Sequence, residues 1–346
     1  MKNFIVDDDW VNKNYHGEAD FTIPDGAVSI DERAFAGCEN LTSIHLPDGV
    51  TEIWNYAFEG CKNLTSVNIP NGVTYIENNA FDGCDNLEIT CDKNSYAEEY
   101  AEEHQIPVKI ENFIVDDYWV EDNYHGESDF TIPDGVTRIE DGAFDFCRGL
   151  ISIHIPDSVT SIGFVAFLDC KSLTSFNIPD GITRIGSETF SGCENLISIH
   201  IPDSVTEIDN KAFLGCKSLT SIKIPDNVTR IGEFAFRGCG SLVSVNIPNN
   251  MTEIEDYAFY NCKSLTSINI PNGVTRIGYR AFAGCENLTS VKIPDSVMEI
   301  GEGECGSAFE NCHNLNIICN KWSYAEKYAK KHQIPVKTEK SQDRER

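Results

Sequence analysis

Hydrophobic positions return along this chain every 23 residues in a single phrase, I-P-D-x-V-T-x-I-x-x-x-A-F-x-x-C-x-x-L-T-S-I-x. Prolines mark the beat at Pro24, Pro47 and Pro70, and again from Pro133 to Pro294. Within the phrase, L-T-S-I-x-I sets Leu, Ile and Ile on one side and Ser and a variable residue on the other, which predicts a strand. Proline ends that strand because it has no N–H for the ladder. The following Asp or Asn, with Gly, Ser or Asn next, predicts a turn. V-T-x-I is a second short extended piece, and I-x-x-x-A-F-x-x-C is compatible with a helical turn that returns the chain. A fixed period of this length means stacked repeats. One repeat buries too little apolar surface to offset the entropy of ordering itself, so neighbours must supply the rest.

The plan occurs twice. Asn3-Phe-Ile-Val-Asp-Asp-Asp-Trp-Val returns as Asn112-Phe-Ile-Val-Asp-Asp-Tyr-Trp-Val. Ser95-Tyr-Ala-Glu-Glu-Tyr-Ala-Glu-Glu-His-Gln-Ile-Pro107 returns as Ser323-Tyr-Ala-Glu-Lys-Tyr-Ala-Lys-Lys-His-Gln-Ile-Pro335. Each copy therefore runs opening segment, repeats, closing helix, with three repeats in the first and eight in the second. The closing helices carry capping boxes, Ser95 with Glu98 and Ser323 with Glu326, and His104 and His332 lie near their C-termini, where a cation suits the helix dipole. The expected organisation is an α/β repeat in two capped arcs end to end, 1–109 and 110–337, with a disordered tail over 338–346. A short insertion at Glu302–Gly306 is the one break in the second run.

Composition narrows the function class. The 346 residues include 55 acidic and 27 basic, a formal charge of −28. That balance repels phosphate backbones and anionic surfaces, so nucleic acid is not expected as a partner, and it favours a soluble monomer. No apolar stretch approaches the length of a membrane span, so no membrane insertion is expected. The N-terminus meets acid within a few residues and lacks an apolar core, so it does not read as a signal peptide, and a cytoplasmic setting or a mature form is expected.

Fourteen cysteines look unusual until sorted by phase. Eleven, from Cys38 to Cys312, share one repeat position and predict a ladder of small, buried, reduced thiols. Cys305 stands outside the ladder, in the insertion, and is expected to be exposed. No catalytic motif is present, whether nucleophile elbow, phosphate loop, zinc-protease helix or dinucleotide fingerprint. Asp116 to Glu127 has the length of a calcium loop but places Tyr118 and Val120 at ligand positions, which rules it out. His154 and His200 are two repeats apart, roughly 9–10 Å along a ladder, too far to share zinc directly. No enzyme activity, metal or cofactor is expected.

The whole unit, I-P-x-x-V-T-x-I-G-x-x-A-F-x-x-C-x-x-L-T-S-I, resembles the BspA-type leucine-rich repeats of bacteria and some protists, from about Phe21 to Cys319. The resemblance implies a leucine-rich-repeat solenoid with a parallel β-sheet on the concave face, and protein binding, often by surface proteins that adhere to host components. The chain departs from the surface form in lacking a signal peptide and a wall-sorting signal.

Two surfaces are candidates for a protein partner. The outward strand slots read His45, Asn68, His154, Asn177, His200, Lys223, Asn246, Asn269 and Lys292, a polar, hydrogen-bond-rich face. The variable positions after I-x carry Trp54 and Tyr56 in the first arc and Phe164, Phe234, Tyr257 and Tyr279 in the second, with Tyr260 nearby. Phe234, Tyr257 and Tyr279 belong to consecutive rungs and are expected to cluster on one edge, as contact hot spots do. The alternatives are an intracellular scaffold and a carbohydrate-binding module using the same aromatic edge.

Overall fold

The computed structural model describes residues 3–111, 113–304 and 306–338. Cys305 and residues 339–346 of the expected tail lie outside the described residues. The chain divides into two compact units, Met1–Phe113 and Ile114–Arg346.

Each repeat contributes one strand to each of two parallel ladders. In the first unit, Asp20–Thr22, Ser43–His45, Ser66–Asn68, Glu88–Asp92 and Val108–Glu111 form one sheet. The other consists of Phe4–Val6, Ala27–Ile30, Glu52–Ile53 and Tyr75–Ile76. Register follows the sequence period: Ile44 pairs with Val67, and Ile53 with Ile76. The second unit repeats the scheme, with Phe176 against Ile199 in one ladder and Ile185 against Ile208 in the other. Proline closes the first-ladder strand of the repeats, as Pro47 does after Ser43–His45, as expected of a residue without an N–H to donate.

The third side of each coil differs from the expected helical turn. The A-F-x-x-C stretch is a run of turns whose N–H groups cross to the next rung: Phe35 N to Ala57 O and Phe58 N to Ala80 O, both 2.8 Å. Most rungs hold left-handed backbone at two positions. One precedes Cys and is mostly Gly, as at Gly37 and Gly192, where φ is +70° and +75°. The other precedes the Ala slot and, apart from Gly142, holds full side chains, including Val165, Phe234 and Tyr257. An α-helix would satisfy these N–H groups within its own segment; here the stack satisfies them between coils, and that is what holds one coil to the next.

The core is a column of phenylalanine rings. Phe35, Phe58 and Phe81 lie 5.3 and 5.0 Å apart with nearly parallel planes. In the second unit the column runs unbroken from Phe144 to Phe309 at centroid spacings of 5.2–5.7 Å. The ladder dictates one ring per strand spacing, and a small offset lets parallel rings stack favourably.

Among the described residues, four helices lie in the opening and closing segments: α1 Asp8–Asn14, α2 Tyr96–Glu103, α3 Asp117–Asn123 and α4 Tyr324–Lys331. α1 and α3 are capped by Asp7 and Asp116, whose side chains accept from Trp10 N and Trp119 N. α3 occupies the stretch with calcium-loop length. Each closing helix turns a tyrosine edge-on to the last ring of its column, Tyr100 on Phe81 and Tyr328 on Phe309, both at 6.1 Å. The capping boxes form with a shifted reciprocal bond. Ser95 Oγ accepts from Glu98 N, but the Glu98 carboxylate takes the N–H of Asn94, and Glu326 likewise takes that of Trp322. Beyond α4, Val336–Thr338 adds a last parallel strand, so Thr338 is ordered in the sheet instead of opening a tail.

Candidate binding surfaces

The outward slots of the first ladder lie where alternation puts them. His45, His154, Asn177, His200, Lys223, Asn246, Asn269 and Lys292 are exposed, and Asn68 is half-buried. Register sets Asn177 against His200 and Asn269 against Lys292 on neighbouring rungs. Shallow depressions run beside His200, Lys223 and Asn246, bordered by the turn aspartates Asp180, Asp203 and Asp226. Several of these slots are engaged within the chain, His45 among them, 3.7 Å from Asp20. The Asn246 amide replaces a peptide in the ladder, accepting from Ile224 N at 3.0 Å and donating to Ile224 O at 2.7 Å. Asn68 donates to Glu111 at 3.4 Å. No group of three His, Cys, Asp or Glu among the described residues is arranged to hold a metal ion.

Four of the aromatic residues singled out in the second unit come together. Phe234 and Tyr257 stack at 4.7 Å, and Tyr257 meets Tyr260 at 5.6 Å and Tyr279 at 5.5 Å, both edge-on. All four are half-buried and lie outside the phenylalanine column. Arginines cover them: Arg237 lies 5.6 Å from the Phe234 ring centre and 5.4 Å from that of Tyr260, and Arg280 5.5 Å from that of Tyr279. Gly303, in the insertion, leaves room against the Tyr279 ring, which a Cβ there would meet at 3.4 Å. Phe164 is apart from this group, 46% exposed beneath Arg184. In the first unit Trp54 packs on Tyr75, and Arg33 lies over Tyr56.

A charge pattern in the second ladder escaped the reading of single repeats. Its outward position runs Arg138, Ser161, Arg184, Glu207, Arg230, Glu253, Arg276, Glu299, a two-rung alternation. Pairing sets Arg184 beside Glu207, Glu207 beside Arg230, and Arg276 between Glu253 and Glu299. Arg276 donates to Asp256 at 2.6 Å and has Glu253, Glu255 and Glu299 each within 3.5 Å. A slip of one rung would set arginine against arginine. The core positions repeat every rung and cannot by themselves forbid such a slip, whereas like charges placed opposite oppose it.

The cysteine ladder is inert packing. The described cysteines are free thiols, mostly buried, and each Sγ of the inner rungs donates to a Phe carbonyl of the preceding rung, as from Cys61 to Phe35 O at 3.1 Å. Burial pushes Cys61, Cys193 and Cys239 up to about 12, so thiolate is suppressed at neutral pH.

The family comparison agrees with this architecture. The BspA type leucine rich repeat region matches in six copies over residues 14–105, 123–229 and 185–316. Among solved structures, a leucine rich cell surface protein of Faecalibacterium prausnitzii A2-165 is 32% identical, covering 90% of each chain, with a TM-score of 0.43. A leucine-rich repeat protein of Bacteroides ovatus is 26% identical over 93% of this chain and 92% of its own, with a TM-score of 0.42. The pneumococcal vaccine antigen PcpA is 15% identical over 93% of this chain and 89% of its own, with a TM-score of 0.39. No curated protein matches the chain. With its family region matched across most of its repeats, the chain belongs to the BspA-type leucine-rich-repeat proteins.

Proposed function

We propose that this protein is a non-catalytic protein-binding module, and that the contact is made through the edge formed by Phe234, Tyr257, Tyr260 and Tyr279. The observation that carries this reading is their joint geometry: four half-buried rings in mutual contact, overlaid by Arg237 and Arg280, outside the structural core. Tyr and Arg are the residues enriched where protein contacts concentrate their energy. The polar row from His154 to Lys292 supplies hydrogen-bonding groups on the first ladder of the same unit. A sugar needs an open ring face to stack on; here Tyr257 covers one face of Phe234 and arginine lies over three rings, which favours a protein partner over a carbohydrate. An adhesin-like role at a cell surface is the setting that family membership suggests, with an intracellular scaffold as the alternative.

The test is co-precipitation from the native setting with the full chain and with Phe234→Asn/Tyr257→Asn. Asparagine tolerates the left-handed backbone at both sites, so the fold is kept while the rings are removed. A discrete partner lost with the double variant supports the reading. The same set of proteins recovered by both refutes it.

A further inference from the structure

The two closing segments form an internal comparison. They share fold and most of their sequence, with Tyr100 and Tyr328, Ala97 and Ala325, and Glu98 and Glu326 buried alike. Yet Glu99, Glu102 and Glu103 of α2 become Lys327, Lys330 and Lys331 of α4, and Asn94 becomes Trp322. Trp322 is 73% exposed. It sits in left-handed backbone, φ +71°, in the slot where the first unit uses Asn94 at +60°. Neither core packing nor backbone preference accounts for tryptophan there, since asparagine suits that conformation and a bulky residue is strained in it.

Two amines lie over the ring. Lys321 Nζ lies 4.9 Å from its centre and Lys330 Nζ 6.0 Å, and Lys327, one helical turn from Lys330, is exposed on the same side. The helix dipole accounts for Lys330 and Lys331 in the last turn, but not for Lys327 or Trp322. Lys331 is engaged separately, by Glu302 at 2.8 Å, and Lys330, beside the ring, also pairs with Glu326 at 2.9 Å. What remains is a basic, tryptophan-centred patch on a chain of formal charge −28, at a place where its own duplicate is acidic.

We propose that this patch, Lys321, Trp322, Lys327 and Lys330, is a docking site for an acidic peptide segment of a protein partner. Charge complementarity selects the occupant. An extended anionic surface such as a bilayer would meet the acidic body of the chain as well as the patch. A single acidic segment touches only what lies within a Debye length of about 8–10 Å. The site is distinct from the aromatic edge at Phe234 and stands whether or not that edge binds anything.

The experiment titrates the full chain against a fluorescently labelled oligoglutamate peptide by anisotropy, at low and high salt. Parallel titrations use phosphatidylserine vesicles. The main variant, Trp322→Asn/Lys327→Glu/Lys330→Glu, copies residues that the first unit already carries in the same fold, and Lys327→Glu alone is a second, minimally disturbing change. Binding of the peptide that weakens at least tenfold in the triple variant, about threefold in the single one, and steeply with salt is the expected result. No binding by the unaltered chain, equal binding by the triple variant, or binding to vesicles without binding to the peptide would overturn the proposal.

Discussion

Arg230 reaches across one rung to Asp209, its Nη1 2.9 Å from Oδ1, while Arg184 closes on Oδ2 from the other side at 2.6 Å. Asp209 is only 3% exposed, so this carboxylate is held in the stack by arginines from the rungs before and after its own. Arg230→Glu would put a carboxylate beside it and make an unbroken acidic row with Glu207 and Glu253. A loss of about 2–4 kcal/mol is expected, against about 1 kcal/mol for Arg230→Met, which keeps the aliphatic stem. Urea unfolding of the two variants gives the comparison directly.

The thiol ladder predicts sensitivity to alkali. Unfolded thiols ionise near pH ~8.5, while burial keeps those of the folded ladder protonated, at Cys61, Cys193 and Cys239 up to about 12. A group whose pKa is raised by folding contributes its full stability below the unfolded value and loses it as pH rises towards the folded one. The urea midpoint should therefore hold from pH 7 to 8 and fall progressively from pH 9 upwards. A midpoint unchanged at pH 10 would mean that the ladder is not the closed, dry column described.

Acid acts elsewhere, at the insertion. The strand Glu302–Gly303, paired antiparallel with Gly306–Ser307, is tied to α4 because Glu302 bonds both Lys331 and His332, and these partners hold its carboxyl below the ordinary value of 4.5. A depressed carboxylate contributes above its unfolded value and loses that contribution as pH falls through the folded one. Protection of the Glu302, Gly303 and Ser307 amides, measured against their intrinsic exchange rates, should be high at pH 6 and fall below about pH 4.5, and Glu302→Gln should remove that pH dependence.

Phe234 and Tyr257 should tolerate replacement. Both occupy left-handed backbone, φ +59° and +58°, so asparagine relieves strain while the stacked pair is lost. The two effects are each about 1 kcal/mol and oppose one another. Thermal unfolding of Phe234→Asn/Tyr257→Asn is expected within a few degrees of the unaltered chain, and a collapse of cooperative unfolding would place these rings in the core.

Much of this was legible in the sequence because the core repeats every rung. Leu, Ile, Phe and Cys recur at fixed phase, and strand register, the thiol ladder and the meeting of Phe234, Tyr257 and Tyr279 follow from that period. The return segment was not legible. A-F-x-x-C has apolar spacing that a helix also satisfies, and bonding to the next coil won over bonding within the turn. Helices α1 and α3 escaped because each is short and buries a single valine, Val11 or Val120, leaving little periodicity to detect. The Arg–Glu alternation escaped because it shows only at twice the period that the core advertises. Trp322 stood in plain view, and its exposure became visible only once α4 was placed against the end of the stack.

The central claim, that the edge at Phe234 is a protein contact, is tested most directly by site-specific photo-cross-linking. A benzophenone amino acid is placed at Phe234 of the full chain, and in a control at Tyr96, an exposed residue on the first unit. Irradiation in the native setting should give a discrete adduct from position 234 that is absent from position 96. No adduct at 234, or the same adducts from both positions, would contradict the account.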